Sequence, residues 1–462
     1  MALEDNRMFI SIALVLYALA VLALALFSWK KDSTMEDFLV AGRNQKKLLV
    51  TASMLASTIG GGITIGTVQR ASTMGFPAFW FVAAGGFAHF LQGYFLSRKV
   101  RDSRALTMAE MADTMAGSSA RILTSIIVLI TWVGIAAAQF VAVARVMNSL
   151  VGMNHGTSVV VAAAFITIYT LIGGQKSVLR TDLFQFGIMA ASIIAALAWL
   201  FLATPPPQGS IKIDLFTQSF GPLDLIYYMV VMGGSYFICP MMFSRILTAD
   251  TAENARKSSF MSGTGMLLFA FALTFIGLWV SATGFDSGKQ DPLNAIASLA
   301  LPRVLGVLLI FGLLSAIIST ADTVLLTASS IIQNDLIRKP SVPMVRFWTV
   351  AVGFVAAAVA FNHTDVIGLL MKTYNGYTAG LVPALFVAIM AGRKPSRAWL
   401  LATGIVAGYI LGMAGSLNVE IGAFLSLGKP TAAGLGKVLP LAGMAVSAVL
   451  ALGAYAQAPA KR

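Results

Sequence analysis

A chain of 462 residues that is 58% hydrophobic and only 11% charged, with mean hydropathy +0.83, is no soluble domain, where roughly a quarter of residues are charged. The single Cys239 excludes an intrachain disulfide framework and a cysteine-based zinc site, and His89, His155 and His363 lie too far apart for an HExxH-type cluster. The net charge of +13 raises nucleic acid as a partner, so its distribution has to be examined.

About 20 mainly apolar residues cross a bilayer as a helix. In chain order such stretches fall at 8–29, 47–69, 76–97, 122–149, 157–175, 181–204, 222–247, 258–284, 304–334, 345–362, 365–390, 396–415 and 438–456. The expected fold is therefore all-α and integral to the membrane, a single domain over 1–462 of about 13 transmembrane helices. The first stretch is already long enough to span, so no cleavable leader is expected. The longest polar connections, 98–121, 205–221 and 285–303, are loops or short surface helices, and "TPPPQGS" (204–210) is an exposed loop. No Gly-x4-Gly-Lys-Ser/Thr loop is present, which argues against ATP-driven pumping.

With the N-terminus outside, 23 of the 32 Lys and Arg residues fall on internal segments and 7 on external ones, while Arg145 and Lys372 lie within spans. That bias is the positive-inside pattern, so the basic balance reports topology and contact with the lipid bilayer, not nucleic acid. It also places the C-terminus in the cytoplasm, for a protein of the plasma (inner) membrane.

Span two, "LLVTASMLASTIGGGITIGTVQ", carries Gly60-Gly61-Gly62 near its middle. Span seven, "LIYYMVVMGGSYFICPMMFSR", carries Gly233-Gly234, with Pro240 beyond. Glycine costs about 1 kcal/mol per helix-interior position and proline about 3, and such clusters unwind helices where a protein-lined cavity rehydrates the backbone. Close packing through small residues is the alternative. The two spans are five apart, so the second starts from the opposite side of the membrane. That pattern implies inverted repeats over about 47–204 and 222–390, with helices 8–29, 396–415 and 438–456 peripheral, and a midplane binding site of a secondary transporter.

Span nine holds "GLLSAIISTADTVLLTASS" (312–330), a polar stretch inside an apolar run. Ser319 and Thr320 fall near its centre, with Ala316 one turn before. If span two packs alongside, its unwound segment offers the carbonyls of Ala56 and Ile59. Two hydroxyls and three carbonyls form a neutral oxygen cage suited to a hard monovalent cation, because a divalent ion would want carboxylates. Hydroxyl back-bonding to the preceding turn is the alternative use of these side chains. Asp322 is an intramembrane acid; it could attract the cation, carry a proton or accept a structural hydrogen bond.

Four motifs in order resemble the sodium/solute symporter family: "FLVAGRNQ" (38–45), "YTLIGGQKSVLRTDLFQFGIM" (169–189), "FSRILTADTAENARKSS" (243–259) and "LLSAIISTADTVLLTASSIIQNDL" (313–336). The resemblance implies a leucine-transporter-type fold, with one extra helix in front and two behind, and sodium-coupled solute uptake. It assigns the Na+ site to backbone oxygens of Ala56, Ile59 and Ala316 and hydroxyls of Ser319 and Thr320. It places Asp182 on the inner exit path of the ion; a carboxylate at the start of span six, favoured by the helix dipole, is the other reading.

Thr58, Gly61, Thr64, Gln139, Gly234, Ser235 and Tyr236 are expected at the solute. Tyr236 and Pro240 match proline-carrying relatives, whereas Thr58, Ile135, Met232 and Cys239 depart from them. Lys372 on span eleven either snorkels outward or draws an anion into the outer vestibule. A small monocarboxylate or pantothenate-like acid is therefore the expected solute, followed by a neutral or zwitterionic amino acid such as proline. A membrane sensor of the same fold is the competing function. No repeated charged ring supports a channel, and no Ser-His-Asp set or catalytic acid pair supports an enzyme. The expected mechanism is alternating access by a monomer, with sodium fixing the solute pocket.

Overall fold

The computed structural model describes residues 2–28, 34–288, 290–417 and 429–456. Lys30, Lys31, Lys289, Lys461 and Arg462, all part of the charge balance, lie outside those residues. The chain runs as α1 (Ala2–Ser28), α2 (Lys47–Thr58), α3 (Gly61–Met74), α4 (Phe79–Phe95), α5 (Ser118–Val151), α6 (His155–Ile172) and α7 (Gln175–Leu202). It continues through α8 (Pro222–Phe237), α9 (Pro240–Thr248), α10 (Ala252–Thr283), α11 (Arg303–Ser330), α12 (Val342–Phe361), α13 (Val366–Ala391), α14 (Ala398–Ser416) and α15 (Lys429–Tyr455).

Among the described residues, nine helices are long and apolar enough to cross a membrane, or eleven when each of two bent pairs counts as one span. The two remaining expected spans, 8–29 and 76–97, fall on α1 and on α4, which has 17 residues. Helix starts follow the capping residues: Asn154 accepts from the Thr157 amide ahead of α6, and Thr251 accepts from the Asn254 amide ahead of α10.

The bent pairs are α2–α3, with a 58° bend, and α8–α9, with 43°. In the first, the ladder stops at the Ile59 amide on Leu55 O and resumes with the amides of Ile63 and Thr64 on Gly60 O. The carbonyls of residues 56–59 are thereby taken out of the ladder. Gly60 is needed for close approach, since a Cβ there would lie 2.7 Å from Thr320 Oγ1.

The second break corrects the expected position. Gly233–Phe237 is helical, and the chain is extended at Ile238 and Cys239 instead. Pro240 is the cause: it has no N–H for the ladder and pushes the residue before it out of the α region. Gly233 and Gly234 serve packing, because Cβ atoms there would lie 3.1 Å from Ala84 O and 2.6 Å from Thr378 Cγ2.

Neighbouring helices dress both breaks. Gln139 Oε1 on α5 accepts from the Gly61 amide at 3.2 Å. Gln92 Nε2 on α4 donates to Tyr236 O at 3.2 Å and Phe237 O at 3.0 Å, and the Tyr377 hydroxyl donates to Ile238 O. The Gly61 amide and the carbonyls of Tyr236, Phe237 and Ile238, opened inside an apolar bundle, are thus met by side chains.

On the side of the basic loops, the resembling motifs meet. The Gln45 amide donates to Thr248 O and the Asp250 amide to Gln45 O. Arg101 Nε donates to Ala249 O at 2.5 Å. Arg43 Nη2 donates to Arg104 O at 2.7 Å and Ala105 O at 2.9 Å.

Candidate functional site

α2, α7 and α11 pack against one another, and α9 packs on α2 and α11. At their junction Thr320 Oγ1 donates to Ser57 O at 3.1 Å and to its own Ala316 O at 3.0 Å. Ser319 Oγ donates to Asp182 Oδ1 at 2.7 Å. Ala56, Ile59, Ala316, Ser319 and Thr320 are all buried here. The structure therefore brings one of α11's paired hydroxyls, that of Thr320, against the opened segment of α2, while the other, Ser319, turns to Asp182 on α7. It adds Ser57, whose carbonyl meets Thr320 directly. The donor chemistry, neutral oxygens with one carboxylate behind them, fits a hard monovalent cation. Among the described residues no group of three or more His, Cys, Asp or Glu forms a metal cluster.

Asp182 lies in the second turn of α7, fully buried, which overturns the reading of it as a helix-start carboxylate. Ser53 Oγ donates to its Oδ2, and Arg245 Nη2 stands 3.1 Å from the same oxygen. Arg245 corrects a second expectation. The internal cations of the charge balance include it, at the end of the span-seven stretch, but it lies inside α9 with no side-chain exposure. Its Nε donates to Ser53 Oγ at 3.1 Å, and its Nη2 donates to Ser57 Oγ at 2.8 Å and Thr323 Oγ1 at 2.5 Å. Asp322 is buried beside this network: Oδ1 accepts from Thr323 Oγ1 at 3.2 Å, and Oδ2 has no hydrogen-bond partner among the described residues.

A cavity of about 20 Å³ lies between the two breaks, bordered by Thr58, Gln139, Tyr236 and Thr320, with Phe81 and Tyr374 as further aromatic walls. It has room for about one water. No lining residue is ionisable except Tyr. Of the expected solute contacts, Thr58, Gln139 and Tyr236 border it, and Gly61 sits between lining residues Gly60 and Gly62. Thr64 does not line it; its hydroxyl back-bonds to Gly60 O at 3.2 Å. Gly234 packs on Thr378, and Ser235 Oγ back-bonds to Met232 O at 2.7 Å, so neither lines it. Lys372 is exposed on α13. Sequence reasoning missed Tyr374, although "MKTYNGYT" contains it.

Outside the spans, Asp291 pairs with Arg145 at 3.2 Å. Burial pushes its carboxyl above the usual Asp value, against the opposing pull of Arg145.

Residues 38–393 match the Sodium:solute symporter family. The chain is 23% identical over 432 residues to the sodium/proline symporter of Escherichia coli (strain K12), covering 86% of this chain and 84% of that protein. It is 24% identical over 445 residues to the high affinity choline transporter 1 of Homo sapiens, covering 87% and 75%. A Na+-coupled sialic acid symporter, solved in a substrate-bound outward-open state, superposes with TM-score 0.72 at 16% identity over 98% of each chain. A nucleobase-cation-symport-1 family transporter superposes with TM-score 0.59 at 13% identity, over 92% of this chain and 95% of that one. The structural likenesses establish the fold of a multi-pass membrane transporter. The family match over residues 38–393 shows that the chain belongs to the sodium:solute symporter family, with Na+ as its coupling ion.

Proposed function

We propose that the protein imports a compact amine-bearing solute together with Na+ across the plasma (inner) membrane by alternating access. The observation that carries the solute class is the cavity between the two breaks: aromatic, uncharged and next to Thr320. Aromatic faces attract an organic cation such as a substituted amine. A carboxylate on the same solute would be favoured by the positive end of α3's helix dipole. A proline-like zwitterion satisfies both ends. The named relatives carry proline and choline. The expected preference for a monocarboxylate or pantothenate-like acid has no such support: no Lys or Arg lines the cavity.

The Na+ site in this reading comprises the carbonyls of Ala56, Ile59 and Ala316 and the hydroxyls of Ser319 and Thr320, with Asp182 on the inner path. Two inverted repeats, about 47–204 and 222–390, rock around it in a monomer whose N-terminus is outside. The cavity is too small for any such solute, so loading requires it to widen. Uptake of labelled proline and labelled choline into proteoliposomes, under a Na+ gradient and an equal K+ gradient, tests the reading. Na+-driven accumulation of either supports it. Accumulation of neither, with an organic acid accumulated instead, would sink the solute class. Binding of proline or choline without accumulation would favour a sensor.

A further inference from the structure

The pair Arg245–Asp182 is the least expected feature of the molecule. Both side chains are completely buried, and a guanidinium buried in a membrane protein is costly unless its donors are met. Here they are met by the hydroxyl groups that surround the proposed ion path. Ser53 and Ser57 come from the inner half of the broken span, Thr323 from one turn below Ser319, and Asp182 from α7. Asp182 is the hinge of the arrangement. One oxygen holds Ser319, a member of the sodium cage; the other holds Arg245. The cluster contains one guanidinium against two carboxyl groups, Asp182 and Asp322, and an Asp322 oxygen is still without a partner.

Resting on the sodium-site reading above, we propose that Arg245 is a tethered counter-cation that competes with Na+ for Asp182 and thereby sets how tightly the ion is held and how fast it leaves. Two cations served by one carboxylate in a buried site repel strongly. An ion moving inward from Ser319 and Thr320 toward Asp182 displaces Arg245 Nη2 from Oδ2. The return of the guanidinium to Oδ2 then drives the ion onward. Arg245 sits on the inner half of the second broken span and its partners on the first, so the exchange is coupled to relative movement of the two breaks. Arg245 is a positioning residue: it acts on the ion through Asp182 and never binds the solute.

The test is a Na+ titration of thermal stability on the full chain in detergent, with K+ replacing Na+ at constant ionic strength. In Arg245→Gln the competitor is gone, and the Na+ concentration giving half the stabilisation should fall about tenfold, as expected for losing one close like-charge repulsion. Uptake turnover should fall as well, because the ion is released more slowly. Arg245→Lys keeps a cation and should titrate near the wild type. A merely structural arginine predicts the reverse for Arg245→Gln: lower stability in both salts, with Na+ affinity unchanged or weakened. That result overturns the proposal.

Should Arg245→Gln not fold, the wild-type protein gives an independent answer. Labelling by an arginine-directed dicarbonyl reagent, read at the Arg245 peptide by mass spectrometry, should rise several-fold in Na+ over K+. Equal or lower labelling in Na+ overturns the proposal. The Ser319→Ala/Thr320→Ala variant separates the two readings. Full Na+ dependence there means the sodium site itself is wrongly placed. A Na+-blind double variant beside an Arg245→Gln protein that titrates like the wild type means that only the competition is wrong.

Discussion

Ser319 Oγ donates to Asp182 Oδ1 at 2.7 Å, joining α11 to α7 at the point where α2 opens. A hydroxyl of α11 and a buried acid 137 residues apart in the chain are thus joined by one hydrogen bond.

Gly60→Ala tests the close approach of α3's first turn to α11. The added Cβ would stand 2.7 Å from Thr320 Oγ1 and 3.2 Å from Gln139 Oε1. The hydroxyl cannot keep its bond to Ser57 O and also make room. Expression should persist while Na+ stimulation of uptake falls at least about tenfold, equivalent to ~1.4 kcal/mol at the site. Wild-type Na+ dependence in this variant contradicts the geometry.

Gln92→Leu removes the side chain that serves the carbonyls of Tyr236 and Phe237. Leaving such buried acceptors without donors costs about 1–3 kcal/mol. The melting temperature should fall in Na+ and in K+ alike, because Gln92 lies outside the proposed ion site. A fall confined to Na+ would show that the second break shapes the ion site directly.

Tyr374→Leu probes the aromatic wall. A cation–π contact contributes about 0.5–2 kcal/mol, so the apparent KM for an amine-bearing solute should rise about two- to thirty-fold. Half-saturating Na+ should change little. An unchanged KM for proline and choline removes the aromatic recognition from the account.

Asp291 gives a pH prediction in the segment that precedes α11. Its carboxyl is raised mainly by burial, and Arg145 only partly offsets this. The folded state therefore holds the proton more tightly than the unfolded chain. The associated stability is fully present below the usual Asp pKa of about 3.9 and is lost as pH rises through the higher folded value. Asp291→Asn should abolish that descending limb in a plot of melting temperature against pH, and at pH 7 it should be no less stable than the wild type. A clearly less stable variant at pH 7 would mean that the ion pair to Arg145 outweighs burial.

Several parts of this arrangement were legible in the sequence for physical reasons. A triple glycine inside an apolar stretch has no cheap helical explanation, and α2–α3 breaks there. Adjacent hydroxyls at the centre of span nine are likewise visible without a fold, and they meet that break. The second break lies beyond its glycines, at Ile238 and Cys239, because the missing N–H of Pro240 decides where the ladder stops. Ser235 and Thr64 look like solute contacts in one dimension, yet both hydroxyls return to their own backbones. Arg245 ends the apolar stretch of span seven and counts with the internal cations, and "PMMFSRILT" places it in an apolar helical run, but its partners are not visible in sequence. Its partner Asp182 lies 63 residues away, and only the packed fold joins them.

The most direct measurement is Na+-dependent thermal stability of the wild type beside Ser319→Ala/Thr320→Ala, each titrated with Na+ against K+. The account predicts a wild type stabilised by Na+ alone and a double variant that is folded, with a cooperative transition, but blind to Na+. A double variant with the wild type's Na+ response would contradict the site built on α2 and α11.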